Sequence, residues 1–174
     1  MIGIFANQSV RRQTLAILFL VLSGSALVAC QSALFTYKGA RIAQVNLIPL
    51  TEGGLKGDYF ETEDVTIDYE YTRTGDSLRL GGEIGYSRAL QNSFTSVPDF
   101  YIRVFFADAQ GTVLAYRGII ASGYGYTSDR MRFHELVTLP PGTAFMAFGY
   151  SGRAIDSSVD NRVDKSFWLD PIAH

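Results

Sequence analysis

The chain of 174 residues carries 15 basic and 17 acidic side chains, and 47% of its residues are hydrophobic. This mildly acidic balance makes nucleic acid and anionic lipid headgroups poor partners, because both attract basic surfaces. One cysteine and two isolated histidines exclude a disulfide framework within the chain and a cysteine–histidine zinc site.

The N-terminus follows the order of a secretory signal peptide, which is a charge, a short apolar run and small residues. Arg11 and Arg12 supply the charge, residues 15–22 are apolar without interruption, and residues 23–26 are small. Residues 15–29 are too few for a comfortable membrane span, which needs about 20 apolar residues. The alternative is a permanent anchor helix or a buried core helix.

The small residues lead into Leu27, Val28, Ala29 and Cys30, the only cysteine in the chain. These four residues resemble the lipobox of a bacterial lipoprotein signal peptide. The resemblance implies that residues 1–29 are cleaved and that Cys30 becomes the lipid-modified first residue. Two or more acyl chains, such as palmitate, are needed for stable anchoring. Cys30 would then be neither a redox centre nor a metal ligand.

The residues after Cys30 bear on which membrane holds the protein. Gln31 and Ser32 stand where an aspartate would favour retention in the inner membrane. The resemblance therefore implies a lipid anchor in the outer membrane, with the protein facing the periplasm. In a bacterium with a single membrane it implies the outer face of the cell membrane.

The mature chain is long enough for one ordinary domain. Removal of residues 1–29 leaves 145 residues with 13 basic and 17 acidic side chains, a net charge of −4. Residues 30–33 are short and polar, so we interpret them as a tether. Residues 34–174 are the predicted β-sandwich domain.

Apolar and polar residues alternate along short segments that are separated by turn residues. This pattern predicts strands at residues 43–47, 59–72, 78–86, 99–107, 112–120, 131–138 and 144–151. It predicts loops at residues 51–57, 87–98 and 121–129, the last of them flexible and aromatic. Both faces of segment 99–107 are partly apolar, which favours a central place in its sheet. Glycines at 81, 82 and 85 indicate a bulge or a close approach of another backbone.

Seven or eight short strands without a helical period after residue 29 predict an all-β, antiparallel two-sheet sandwich. Residues 78–153 also resemble the immunoglobulin-like sandwich domains of many small bacterial lipoproteins. The segments that carry this resemblance are LRLGGEIGYS, FYIRVFFADAQG, TVLAYRGII, LPPG and AFMAFGYSGR. The resemblance implies an immunoglobulin-like fold and no particular function, since such sandwiches host many activities. Phe167, Trp168 and Leu169 are expected to pack back on the domain.

The sequence offers little for catalysis. A nucleophile needs a base within reach, and the two histidines are His134, in the strand MRFHEL, and the terminal His174. We interpret His134 as a surface or interface residue and predict no catalytic residue and no enzymatic activity.

Two acidic clusters are candidates for binding a metal ion. Asp156, Asp160 and Asp164 are spaced by four and do not match a calcium-binding loop with its central glycine. The second cluster, Glu61, Glu63 and Asp64, is explained by a solvated strand. We therefore predict solvent-exposed acids, with the first cluster on a loop or short helix, and neither a metal nor a cofactor.

Tyrosines outside the predicted core are the best remaining indication of binding. Tyr124 and Tyr126 lie in a glycine-containing loop, and Tyr116 lies upstream. Tyrosine offers a large rigid contact area with a polar tip. We predict a non-catalytic structural or protein-interaction module that docks an envelope protein. The alternative is a module that binds a glycan or small ligand through Tyr116, Tyr124 and Tyr126.

Overall fold

The computed structural model describes residues 36–156 and 163–173. Within these residues a pair of antiparallel sheets packs face to face, and helix is confined to a 3-10 turn at Gln44–Asn46 and to α1 (Arg88–Ser93). The predicted all-β sandwich is therefore confirmed at this level. The predicted signal peptide, Cys30 and the tether lie outside the described residues.

Ten strands form the two sheets in the described residues. They are β1 (Ile48–Pro49), β2 (Gly53–Glu61), β3 (Val65–Thr74), β4 (Ser77–Tyr86), β5 (Ser96–Ala107), β6 (Val113–Ser122), β7 (Gly125–Tyr126), β8 (Met131–Thr138), β9 (Phe145–Asp156) and β10 (Val163–Leu169). Sheet one has β5 and β9 at its centre, with β6 and β7 beside β5, and β1 and β10 beside β9. Sheet two has the order β2-β3-β4-β8.

The core lies between the sheets because strands such as β3 and β4 direct apolar side chains inward at every second residue. Val65 and Ile67 of β3 belong to the same core cluster as Phe100 and Val104 of β5, and all four are fully buried. The central position predicted for segment 99–107 is confirmed, since β5 pairs with β6 on one side and β9 on the other.

The predicted β3–β4 hairpin is confirmed. Thr74 pairs with Ser77 across a two-residue turn in which Gly75 has a φ of +60°. The pairing continues to Tyr86 without a register shift. The expected bulge at the glycines of β4 is therefore absent. The expected close approach of another backbone is present, since a Cβ on Gly82 would overlap the carbonyl oxygen of Asp68.

Two predictions for the N-terminal region of the domain are wrong. The expected strand at 43–47 is a 3-10 turn in which Val45 is 92% exposed, so its apolar alternation meets no partner. The expected loop at 51–57 is largely strand, because β2 begins at Gly53 and pairs with β3. Pairing with a neighbour overrides the low strand propensity of glycine.

The two later loop predictions are also partly wrong. Segment 87–98 contains α1, which is capped where Leu90 N–H donates to Ser87 Oγ (3.1 Å), and the start of β5. Segment 121–129 contains the end of β6 and all of β7. Serine at an N-cap is a local helix signal, whereas β7 forms only because Ser96 and Val97 are there to pair with it.

Polar contacts join the two sheets at several points. The hydroxyls of Thr62 and Tyr150 are 2.7 Å apart, and burial raises the pKa of Tyr150. Arg117 of β6 and Glu135 of β8 form an ion pair at 2.9 Å. Lys165 Nζ donates to Asp64 Oδ1 at 2.7 Å, and this hydrogen bond raises the pKa of Lys165.

These contacts correct the interpretation of the acidic clusters. Asp64 is buried against Lys165 of β10, so it is not a solvated strand residue. Asp156 ends β9 and Asp164 is the second residue of β10, which pairs with β9, so the described members of their cluster form no helix. Asp160 lies outside the described residues.

Candidate interaction surface

The outer surface of sheet one presents two exposed aromatic side chains on one row of the sheet. Trp168 of β10 pairs with Ser151 of β9, and Ser151 pairs with Tyr101 of β5. Trp168 is 68% exposed and Tyr101 is 46% exposed. Two strand spacings separate them by about 10 Å. The small Ser151 side chain leaves a gap between the two rings.

Arg103 lies on the next outward row of the same sheet. It pairs with Gly118 on β6 and with Gly149 on β9, so neither neighbour has a side chain to cover it. Among the described residues Arg103 has no ion pair, and a hollow of about 180 Å³ separates it from Trp168. Its guanidinium is thus available to an incoming carboxylate or carbonyl oxygen.

Tyr116 of β6 extends this surface by one further row. It pairs with Phe105 and is 39% exposed. Tyr37 packs edge-on against both, with ring centroids 5.1 Å from Phe105 and 5.3 Å from Tyr116. We call Tyr101, Arg103, Tyr116 and Trp168 the aromatic face. Paired strands of one sheet hold the backbone at all four residues, so that binding needs to order only their side chains.

The other two tyrosines predicted from the sequence lie elsewhere. Tyr124 and Tyr126 are 68% and 56% exposed, with ring centroids 5.8 Å apart. Asp129 Oδ2 accepts from Tyr126 N–H at 2.7 Å and holds the turn. Tyr126 pairs with Ser96, which is nine positions along β5 from the partner of Tyr116. That separation is about 30 Å, so the three tyrosines do not form one site.

His134 lies on the outer surface of sheet two. It pairs with Gly81, and its imidazole covers the space that a side chain there would fill. Glu70 and His134 line two shallow hollows of about 540 and 330 Å³. His134 forms no hydrogen bond or ion pair with the residues described.

Metal binding and membrane insertion can be assessed for residues 36–156 and 163–173. No group of histidine, cysteine and acidic side chains there has the arrangement of a metal site. None of the helices in these ranges has the length and apolar character needed to cross a membrane.

Sequence reasoning missed Tyr101, Arg103 and Trp168 as surface residues. The signal was present in the period-two alternation, which places Tyr101 and Arg103 together and sets Phe167 and Trp168 on opposite faces. When both faces of a strand are partly apolar, this pattern does not show which face the rest of the chain covers. Comparison with known proteins adds no constraint, since neither a family model nor a curated protein matches the chain.

Proposed function

We propose that the protein is a lipid-anchored, non-catalytic interaction module that docks a protein partner through the aromatic face. The observation that carries this proposal is the row of Trp168 and Tyr101 with Arg103 beside it, all on rigid strands. Tryptophan, tyrosine and arginine are the residue types that contribute most binding energy at protein interfaces. An exposed tryptophan beside an arginine that no described acid pairs with has no evident role in the stability of the domain itself.

The composition of the aromatic face favours a protein over a lipid surface. Arg103 is its one cation, whereas attraction to an anionic membrane needs several basic side chains. The hollow of about 180 Å³ that Arg103, Ser151 and Trp168 line can accept a side chain of a partner. Pockets between aromatic anchors lose their water when a partner fills them, and the hot spots of two partners meet in such pockets.

The proposed location follows from Cys30 and the lipobox resemblance. Acyl chains on Cys30 would hold the protein in the outer membrane, facing the periplasm. Tyr37 follows Cys30 by seven positions, which corresponds to at most about 25 Å of extended chain. The proposed partner is therefore an envelope protein that lies close to the same membrane.

Isolation of the full chain from its native membrane tests the proposed function. The wild-type protein is expected to recover one protein partner in a fixed ratio, and Y101A/W168A is expected to lose it. L136A is the matched control, because Leu136 is 66% exposed but lies on the outer surface of sheet two. Equal recovery by all three proteins would end the proposal.

A second candidate is glycan binding, favoured by the exposed pair of Tyr124 and Tyr126. Two tyrosine rings 5.8 Å apart at 83° offer faces on which a sugar ring can stack. This candidate predicts that glycans raise the melting temperature of the wild-type protein and not that of Y124A/Y126A. No shift with either protein would remove it.

The finer fold assignment, an immunoglobulin-like arrangement, is also a proposal. It is supported by two antiparallel sheets and by connections that cross between them, from β4 to β5, from β7 to β8 and from β8 to β9. An experimental structure compared with immunoglobulin domains strand by strand would test it.

A further inference from the structure

β2 is an edge strand that extends beyond the core of the sandwich. It pairs with β3 on one side and with no described strand on the other. Eight of its nine residues are exposed, and only Phe60 is partly buried. A long exposed edge presents unpaired backbone groups that can pair with another strand.

The side chains of β2 differ between its two surfaces. Leu55 and Tyr59 lie on the outer surface and are 70% and 55% exposed. Lys56 and Asp58, whose β3 partners are Tyr71 and Tyr69, lie on the opposite surface. Across residues 36–156 and 163–173, neither Lys56 nor Asp58 has an ion-pair partner.

We propose that β2 is a dimer interface, in which two copies of this chain pair antiparallel about a two-fold axis at Gly57. In this register Lys56 of each copy lies opposite Asp58 of the other. Leu55 of each copy likewise lies opposite Tyr59 of the other. Directly opposed charges and aromatic–aliphatic pairs both stabilise neighbouring antiparallel strands. A two-fold interface must be self-complementary in this way.

The choice of a second copy rests on charge complementarity within one short segment. The sequence LKGDY places opposite charges at equal distances on either side of Gly57, and an apolar and an aromatic residue at equal distances beyond them. A second copy of β2 therefore offers complementary side chains to both surfaces of β2, without any unrelated strand. Sheet two of one copy and sheet two of the other would then join edge to edge into one sheet of eight strands.

The backbone N–H of Tyr59 is hydrogen-bonded to a side chain and not to a neighbouring strand. Tyr59 N–H donates to Asp58 Oδ1 at 2.8 Å. In the dimer a carbonyl of the second copy can accept from this N–H, which frees the Asp58 carboxylate for the opposing Lys56. The bond to Asp58 satisfies the donor while the edge is open.

Charge reversal tests this register directly. Two copies of the full chain with different affinity tags are co-expressed, extracted in detergent and isolated through one tag. The wild-type copies are expected to co-purify. K56D and D58K each place like charges at both symmetric positions and are expected to weaken association by about tenfold. The double variant K56D/D58K restores opposed charges and is expected to regain the wild-type recovery.

The double variant is also the matched control, because it contains both substitutions and has the wild-type net charge. The proposal is overturned if wild-type copies do not co-purify, or if the single variants associate as well as the wild type. It is equally overturned if the double variant stays as weak as the single ones. Recovery of a different protein that K56D abolishes, without a second copy, would assign β2 to another partner and also overturn it.

Discussion

Phe167 and Trp168 are adjacent aromatic residues, of which Phe167 lies in the core and Trp168 lies on the aromatic face. Truncation of Phe167 is expected to reduce stability, and truncation of Trp168 is expected to reduce partner binding. Phe167 is 2% exposed and lies over Gly152, which has no side chain. Its ring centroid is 6.3 Å from that of Tyr86 and 6.2 Å from those of Phe100 and Tyr150. F167A removes a ring from among large rings that are held by both sheets, so the cavity cannot collapse fully.

F167A is therefore expected to lower the free energy of unfolding by about 3–5 kcal/mol. That loss is about 30–50% of the stability of a domain with an unfolding free energy of about 10 kcal/mol. W168A removes a ring that is 68% exposed and is expected to change stability by less than about 0.5 kcal/mol. The same W168A substitution removes one member of the aromatic face.

Urea unfolding of residues 34–174 followed by far-UV circular dichroism measures both values. Fluorescence is unsuitable, because Trp168 is the only tryptophan and W168A removes it. A loss below about 1 kcal/mol for F167A would contradict the placement of Phe167 in the core. A loss for W168A as large as that for F167A would contradict the exposure of Trp168.

Three further predictions follow from the anchor and the core. C30S is expected to accumulate as an unprocessed precursor without lipid, and normal lipid labelling of C30S would refute the lipobox interpretation. Residues 34–174 without the anchor are expected to fold as a soluble β-rich domain, and a helical far-UV spectrum would refute the sandwich. Burial raises the pKa of Tyr69 from 10.0 to about 12 and raises those of Tyr86 and Tyr150. Because folding favours the neutral forms of these three tyrosines, their contribution to stability is expected to be constant below pH 10.0 and to be lost above it, so that part of the tyrosinate absorbance appears only as the domain unfolds; ionisation of all the tyrosines without unfolding would contradict this.

Most of the fold follows from local patterns in the sequence. Segment 131–138 coincides with β8, and the 78–86 segment with most of β4, because alternation with one buried surface fixes both strand and register. The turn at Gly75 follows from the φ of +60° that glycine tolerates. These features depend on residues close in sequence.

The features that the sequence did not predict depend on distant partners. Gly53 and Gly54 belong to a strand because β3 lies beside them, and β7 exists because β5 begins at Ser96. The surface role of Trp168 depends on what covers sheet one. Residues 37–47 cover the end near Phe105 and leave Trp168 and Tyr101 exposed. The residues around Trp168 and Tyr101 in the sequence do not predict which part of sheet one is covered.

The most direct test of docking by the aromatic face is photo-crosslinking in native membranes. Benzoylphenylalanine replaces Tyr101 in one full-length protein and Leu136, on the outer surface of sheet two, in another. Docking by the aromatic face predicts a cross-link from position 101 to one envelope protein and none to that protein from position 136. Absence of any protein adduct from position 101, or the same adduct from both positions, would contradict it.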